Sequence, residues 1–324
     1  MKILVIGDYI QDVHMFYETI KYDATGVPVV KFVKQINTAG GCRNFVVNLS
    51  NLTDANIHYC SDYPLWVEDL KNIKYYELAS RRSIDMCTKT REYIDNKLIV
   101  IKDSGSLSRN LTQKQLQIFL NRIEKDDLVI ISNYHKGLLS DLHIDIIINK
   151  CRKMKAISII DTKHLNRSYH MCDILKINEI TAREFFKEHE HLKVKKLNKN
   201  VEDFTELEEI DFDKDNLCKM ISESLSIKTV IITKGANGYE CFHKKMKKDV
   251  AVYEDFFYKS KAYKHENYLI RDTTGAGDAF LAGFVALYKA KRNLEESLEY
   301  ANLEAEISTR YLGTLQYYKG EENV

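Results

Sequence analysis

Short runs of apolar, mostly β-branched residues alternate with helical patterns along most of this chain. The runs cover residues 3–6, 128–132, 157–161, 173–178 and 229–233, and Thr112 and Ser140 open two of the helical patterns. A strand that is buried on both faces has this continuous apolar character. Strands that alternate with helices are typical of a parallel sheet. We therefore expect an α/β fold, with a doubly wound, mostly parallel sheet flanked by helices.

Two other segments have the sequence pattern of strands in a small separate sheet. Residues 27–33 form a short strand pattern with Pro28 near its start, which favours an edge position. Residues 83–100 form a hairpin pattern whose turn is Asp95-Asn96. We expect a β lid, contributed by about residues 13–36 and 83–102, that excludes water from a site in the larger sheet. No repeat or low-complexity linker interrupts the chain, so one domain is expected to cover residues 1–324.

Composition excludes several classes of function. The 324 residues carry a formal net charge of +1, which favours neither a nucleic-acid nor a membrane partner. The seven cysteines include no Cys-x-x-Cys pair, so neither a disulfide framework nor a zinc site is indicated. The apolar run at the N-terminus is too short for a signal peptide, and no apolar stretch approaches membrane-spanning length. A cytoplasmic protein is expected.

The most informative local sequence is the Gly-rich turn at residues 271–278, which leads directly into an apolar helical pattern. The first turn of a helix presents unpaired N–H groups and a partial positive charge, and these stabilise an anion. Gly275 and Gly277 leave room for a ligand beside the backbone. Asp278 would then stand beside the anion and could take a proton from a hydroxyl group. The alternative is that Asp278 only caps the helix.

Polar residues also recur where the predicted strands end. Because parallel strands end at one edge of a sheet, a shared site is expected there; the residues are Asp8, Asn133, Lys136, Asp161, Lys163, Asn178 and Thr233. Asp8 and Asp12 suit sugar hydroxyls, with solvated loop acids as the alternative. Asn44, at a helix opened by Gly40-Gly41, suits a diol, with an ordinary Gly-rich turn as the alternative.

Two further patterns concern the ligand. Lys89 and Arg91 share a face of their strand and could hold an anionic group of a substrate, unless they are only surface charges of the lid. No Gly-x-Gly-x-x-Gly follows the first strand, which disfavours a dinucleotide-binding fold.

The order of these motifs resembles the ribokinase (PfkB) family of carbohydrate kinases. The resemblance rests on Gly7-Asp8 with Asp12, on Gly40-Gly41 with Asn44, on Thr233 with Gly235 and Gly238, and on residues 272–278. Within the family, the heptose-7-phosphate kinase domain of the bifunctional kinase/adenylyltransferases is similar at residues 27–31, 88–91, 132–137, 161–163, 301–302 and 312–314. No nucleotidyltransferase sequence follows, so the stand-alone kinase form is expected.

The resemblance implies transfer of the γ-phosphoryl group of ATP to a sugar hydroxyl, with Mg²⁺ and, as a further candidate, a monovalent cation. Asp278 would be the base, and the backbone of Gly275, Ala276 and Gly277 would form the anion hole. The implied ATP-binding residues are Thr233, Gly235, Gly238, Asn178, Asn302 and Thr274. The implied substrate-binding residues are Asp8, Asp12, Gly40, Gly41, Asn44, Lys89, Arg91, Asn133, Lys136 and Lys163.

The implied acceptor is D-glycero-D-manno-heptose 7-phosphate, phosphorylated to the 1,7-bisphosphate on the way to lipopolysaccharide or nucleotide-sugar precursors. A homodimer through the lid is implied as well. Two alternatives stay open. One is a kinase for another sugar, sugar phosphate or nucleoside, and the other is a catalytically silent binding protein with the kinase fold.

Three departures from the family pattern bear on these expectations. The Asn-x-x-Glu metal motif reads Asn178-Glu179-Ile180-Thr181, so Glu179 or Glu184 is the candidate metal ligand. The heptose-kinase Ser-Asp-Tyr sequence has Asn133 in its centre, which removes a charge. Arg43 replaces a small residue after the paired glycines and could alter the sugar pocket. The charged stretch 187–215 is expected to be solvated, with a partner-binding insert as the alternative.

Overall fold

The computed structural model describes residues 1–61, 70, 72–77, 87–104, 110–188, 216–246, 253–263, 270–311 and 313–314. Residues 83–86 of the predicted lid and residues 189–215 of the charged stretch lie outside this set. In chain order, the strands of the described residues are β1 (Ile3–Gly7), β2 (Tyr9–Tyr22), β3 (Pro28–Gly41), β4 (Ile57–Ser61), β5 (Ile73–Glu77), β6 (Thr88–Ile94), β7 (Lys97–Ser104), β8 (Leu128–Asn133), β9 (Ile157–Thr162), β10 (Ile174–Asn178), β11 (Thr229–Thr233), β12 (Tyr239–Met246) and β13 (Tyr253–Ser260). The α-helices are α1 (Cys42–Leu52), α2 (Gln113–Leu120), α3 (Asp141–Met154), α4 (Glu179–Glu188), α5 (Leu217–Leu225), α6 (Ala276–Lys291) and α7 (Leu294–Ser308).

The larger sheet has nine strands in the order β13-β12-β11-β10-β9-β8-β1-β4-β5. Its seven strands from β11 to β5 run parallel, which confirms the predicted α/β fold. The sequence analysis did not identify β12 and β13, which continue the sheet beyond residues 229–233 in antiparallel pairing. β13 exposes most of its side chains at the sheet edge, so it lacks the continuous apolar run by which the inner strands were recognised.

Helices cover both faces of this sheet because the side chains of each inner strand alternate between two cores. Leu4 and Ile6 of β1 belong to the core under α2, α3, α4 and α5, whereas Ile3 and Val5 belong to the core under α1, α6 and α7. The predicted helix starts are confirmed at Thr112 and Ser140, each of which accepts a hydrogen bond from a backbone N–H in a capping box. The fold is therefore doubly wound.

A second sheet contains four strands in the order β3-β2-β6-β7. The predicted hairpin is β6 and β7, and its turn residues Asp95 and Asn96 have φ values of 50° and 62°, as a two-residue hairpin turn requires. The predicted edge strand is β3. The long strand β2 was not predicted, and it lies between β3 and β6. The predicted strand and the predicted hairpin therefore belong to one sheet, as expected, but they are joined through β2.

No helix in the described part of the chain combines the length and apolar character that crossing a bilayer would need.

Candidate active site

A cleft of about 990 Å³ opens where the parallel strands of the larger sheet end. Tyr134 and Lys136 follow β8, Lys163 follows β9, and Asn178 and Thr233 end β10 and β11, and all of them line the cleft. The other predicted site residues that line it are Asp12, Gly41, Lys89, Arg91, Gly235, Gly238, Thr274, Gly275, Ala276, Gly277, Asp278 and Asn302. The structure therefore brings most of the predicted catalytic, ATP-binding and substrate-binding residues to one cavity.

The Gly-rich turn forms the start of α6 as the sequence predicted. Gly275 has a φ of 82° and is the N-cap residue, and the N–H groups of Ala276 and Asp278 bind carbonyls within the turn. The backbone N–H groups of Gly275 and Gly277 have no hydrogen-bond acceptor among the described residues. Since both glycines line the cleft, the helix offers two unpaired donors and its positive end to an anion there.

Asp278 is held beside these donors by side-chain contacts. Its side chain accepts a hydrogen bond from Asn44 Nδ2 at 2.6 Å, through one carboxylate oxygen, and a short one from the Tyr134 hydroxyl through the other. Asn48 in turn donates to Asn44 Oδ1 at 3.2 Å. Within the described residues no side chain caps the start of α6 with a hydrogen bond. The geometry therefore favours the base over the alternative of a helix cap.

The electrostatic environment of Asp278 balances two opposing effects. Its residue is only 5% exposed, and this burial raises the pKa of Asp278, while Lys163, Tyr134 and Asn44 oppose the rise. Burial would lower the pKa of Lys163, but the carboxylates of Asp161 and Asp278 outweigh it and raise that pKa. Lys163 therefore stays charged, and its charge opposes the rise that burial causes in the pKa of Asp278.

Asp8 and Asn133, two predicted sugar ligands, do not line the cleft. The Asp8 carboxylate accepts backbone N–H groups of Tyr134 at 2.7 Å, Lys136 at 3.2 Å and Leu138 at 3.2 Å. Asn133 donates to the Tyr169 hydroxyl at 2.8 Å and accepts from the backbone N–H of His135 at 2.9 Å. Both side chains shape the loop after β8, which carries Tyr134 and Lys136 into the cleft. Their contact with a sugar stays a prediction.

The smaller sheet, which is the predicted lid, contributes a buried ion pair to the cleft. Arg91 Nη1 lies 2.6 Å from Asp12 Oδ1, and the two side chains are 9% and 7% exposed. Arg91 and Lys89 both line the cleft, as expected from their shared strand face. The partnership with Asp12 was not predicted, because it depends on the pairing of β2 with β6. Gly40, which does not line the cleft, lies against the same aspartate: a Cβ there would be 2.7 Å from Asp12 Oδ2.

The predicted nucleotide residues line the other part of the cleft. Asn302 donates through Nδ2 to the Lys261 carbonyl at 2.8 Å, which holds the loop after β13. Gly238 has a φ of 81°, and a Cβ there would overlap the Ser260 carbonyl, so the two chain segments meet closely. Tyr263 also lines this part of the cleft and is 48% exposed, although the sequence analysis did not single it out.

The residues expected to hold a metal do not fit that role. Glu179 pairs with Arg183 at 2.8 Å, and Glu184 is exposed, and neither lines the cleft. The Thr181 hydroxyl donates to the Lys163 carbonyl at 3.3 Å. Among the described residues, no three His, Cys, Asp or Glu side chains stand together as metal ligands.

Lys176 and Arg43 were assigned no firm role from sequence. Lys176 lies in β10, is 2% exposed and lines the cleft, with its Nζ 3.1 Å from Asp161 Oδ1 and 3.1 Å from the Gly277 carbonyl oxygen. Burial lowers the pKa of Lys176, and Asp161 opposes this. A lysine inside an otherwise apolar strand run was the signal that could have revealed it. Arg43 packs on Tyr9, with Nη1 at 3.3 Å from the hydroxyl, and does not line the cleft.

Comparisons with known proteins identify the family of this chain. A model of the pfkB family carbohydrate kinases matches residues 84–317. The Bifunctional protein HldE of Helicobacter acinonychis (strain Sheeba) is 25% identical over 97% of this chain and 64% of its own length. The HldE of Campylobacter concisus (strain 13826) is 26% identical over 97% of this chain and 62% of its own length. The chain thus spans less than two thirds of these curated relatives.

Solved structures show the same fold. Phosphofructokinase-2 from Escherichia coli in complex with substrates and products aligns with a TM-score of 0.65 at 12% identity, covering 96% of this chain and 94% of that one. Ribokinase from Thermotoga maritima aligns with a TM-score of 0.64 at 16% identity, covering 97% and 95%. Since the family model covers well over half of the sequence, the chain belongs to the pfkB family of carbohydrate kinases.

Proposed function

We propose that this sugar kinase transfers the γ-phosphoryl group of ATP to a hydroxyl of a phosphorylated sugar. The observation that carries the proposal is Asp278, a buried carboxylate that stands beside the two unpaired glycine N–H groups at the start of α6. Lys89, Lys136 and Lys163 line the same cleft and can bind a phosphate already present on the acceptor. The similarity to HldE proteins supports D-glycero-D-manno-heptose 7-phosphate as the acceptor.

In the proposed reaction, ATP lies along Thr233, Gly235 and Gly238, and the sugar lies between Asp278 and the lid. The acceptor oxygen attacks the γ-phosphorus, the bond from that phosphorus to the β–γ bridging oxygen breaks, and ADP leaves. The hydroxyl proton passes to the Asp278 carboxylate. The N–H groups of Gly275 and Gly277 stabilise the charge on the phosphoryl oxygens as it develops.

Residues around the base prepare it for this step. Tyr134 and Asn44 fix both carboxylate oxygens, so the base is oriented before the sugar binds.

Bound Mg²⁺ neutralises phosphate charge in reactions of this kind. Because Glu179 and Glu184 do not line the cleft, no described residue is assigned as a protein ligand of Mg²⁺, and a monovalent cation likewise stays a prediction.

We also propose that the smaller sheet joins two copies, because Leu98, Ile99 and Ile101 of β7 expose 43%, 50% and 53% of their surface.

The test measures ADP release with ATP, Mg²⁺ and a panel of sugars and sugar phosphates. Asp278→Asn keeps the shape of the side chain but cannot accept a proton, so turnover should fall by at least about 10²-fold while ATP binding persists. Asp255→Asn is the matched control, because Asp255 pairs with Lys219 on the surface away from the cleft. Equal turnover of the Asp278→Asn and Asp255→Asn variants would show that Asp278 is not the base.

Acceptor specificity is tested by competition. Heptose 7-phosphate should inhibit phosphorylation of other sugars more strongly than unphosphorylated pentoses, hexoses or nucleosides do. Stronger inhibition by one of those compounds would assign the kinase to that acceptor instead.

A second candidate function is a binding protein that keeps the fold without turnover. The observation that favours it is the pairing of Glu179 with Arg183, which leaves the metal motif without a carboxylate facing the cleft. Tight nucleotide binding without ADP release, for every sugar phosphate and at every Mg²⁺ concentration, would identify this function.

A further inference from the structure

Lys176 occupies an energetically expensive position for a charged side chain. It lies near the end of β10 and is 2% exposed, and the neighbouring strand residues Leu175 and Ile177 are fully buried apolar side chains. Transfer of an ammonium group out of water costs several kcal/mol unless its hydrogen bonds are replaced. A similar apolar side chain often serves fold stability as well or better. The lysine therefore calls for an explanation beyond packing.

The contacts of Lys176 point to the anion-binding turn. Its Nζ donates to the Gly277 carbonyl at 3.1 Å, and Gly277 carries one of the two unpaired N–H groups. It also donates to Asp161 Oδ1 at 3.1 Å. A Cβ added to Gly277 would lie 3.1 Å from the same Nζ, so the ammonium group packs directly against the turn.

Asp161 pairs with Lys176 through only one of its two carboxylate oxygens. Asp161 is 2% exposed, and its Oδ2 has no hydrogen-bond partner among the described residues. A pair that served only the fold would be expected to satisfy its buried oxygens. Lys163 lies close to the same carboxylate, so two cations and two carboxylates, Asp161 and Asp278, surround the start of α6.

We infer that Lys176 is a positioning residue for phosphoryl transfer: its ammonium group fixes the Gly277 peptide and adds positive charge behind the anion hole. The inference rests on the proposed kinase function. The transferred phosphoryl group carries charge on three oxygens, and a fixed cation close to them stabilises the transition state. This contribution has added weight here because Glu179 and Glu184 do not offer a carboxylate for a metal in the cleft.

The test compares Lys176→Met with the double variant Asp161→Asn/Lys176→Met. The single variant strands a buried carboxylate, which alone could disturb the fold. The double variant removes both charges and should melt within a few degrees of the unmodified protein. Lys219→Met is the control, since Lys219 pairs with Asp255 at the surface.

Both Lys176 variants should lose about 10²-fold in kcat, while the KM values for ATP and sugar change less than about 3-fold. Stabilisation against heat by ADP with aluminium fluoride, a mimic of the transferring phosphoryl group, should be lost, while stabilisation by ADP alone remains. A folded double variant with the kcat of the Lys219→Met control would overturn the inference. So would unchanged stabilisation by ADP with aluminium fluoride, a readout that needs no turnover. Failure of the unmodified protein to phosphorylate any acceptor would instead contradict the proposed function.

Discussion

Replacing Arg91 by methionine is expected to lower the free energy of unfolding. The main effect is expected on stability, and not on the KM for a sugar phosphate. Arg91 lies 2.6 Å from Asp12, and both side chains are at least nine-tenths buried. Methionine keeps most of the apolar length of arginine but leaves Asp12 as a buried carboxylate without its partner. Removal of one member of a buried pair costs about 3–5 kcal/mol.

The size of the effect can be converted to a melting temperature. One kcal/mol moves the midpoint by about 2–4 °C in domains of 150–250 residues, and by less in longer ones. An unfolding entropy of about 2.1 cal/mol/K per residue gives about 1.5 °C per kcal/mol for a single cooperative transition of this 324-residue chain, so we expect a loss of about 4–8 °C.

The loss should also depend on pH. Burial raises the pKa of Asp12 despite the opposing charge of Arg91, so removing Arg91 raises it further. The folded variant then binds a proton more readily than the unfolded chain does, and its stability increases as the pH falls. The deficit relative to the unmodified protein should therefore shrink toward acidic pH.

The assay is thermal unfolding of Arg91→Met, Asp12→Asn and the double variant, followed by circular dichroism at several pH values. The double variant should recover most of the loss because it strands neither charge. Lys102→Met is the matched control: Lys102 pairs with Glu92 at the same distance of 2.6 Å on the same sheet, but the two side chains are 57% and 22% exposed. Exposed pairs of this kind contribute about 1 kcal/mol or less.

The reasoning is refuted if Arg91→Met melts at the temperature of the Lys102→Met control. Unchanged stability together with a raised KM for the sugar phosphate would assign Arg91 to the substrate, as the sequence alone implied.

Three further substitutions test the base, the nucleotide site and the lid. Tyr134→Phe removes a donor to the ionised form of Asp278, so the pKa of the base should rise and the acidic limb of the kcat–pH profile should move to higher pH; an unmoved limb would contradict the assigned contact. Gly238→Ala should lower the melting temperature and raise the KM for ATP, because its φ is 81° and the added Cβ would overlap the Ser260 carbonyl. Scanning calorimetry measures the first change, and titration of ATP in the ADP-release assay measures the second. Ile101→Lys should convert the proposed dimer to a monomer in light scattering, whereas a dimer at the same concentration would exclude this face of β7 as the interface.

The inner strands could be predicted because burial on both faces requires a continuous run of apolar residues in the sequence. β1, β8, β9, β10 and β11 lie between two helical layers, so nearly every position must be apolar. Strands with many exposed side chains lack this apolar run. β13, at the edge of the larger sheet, leaves five of its eight side chains exposed. β2 lies inside the smaller sheet, but much of its outer half is exposed, so both strands were missed.

The residue types of the site could be predicted more readily than their partners. Asp278 and its turn were identified from one short sequence, because helix starts bind anions for local reasons. Its partner Asn44 is 234 residues away, and the pairing depends on how α1 packs against α6. Asp8 shows the same limit: a carboxylate at a strand end can face the cleft or turn back to a loop, and only the fold shows that Asp8 binds the loop after β8.

These separate contacts explain how a buried carboxylate can serve as a base in this fold. Burial alone would favour the protonated acid, which cannot accept a proton from an alcohol. The opposing donors come from different elements: Asn44 from α1 on one side of the sheet, and Tyr134 and Lys163 from the loops that follow β8 and β9. Lys163 also packs over the Tyr134 ring at 4.9 Å, so the charge and the hydroxyl are placed together. The pKa of Asp278 is therefore set by groups from several elements of the assembled sheet edge, and a mutation that shifts any of these elements can reduce turnover without touching the proposed base.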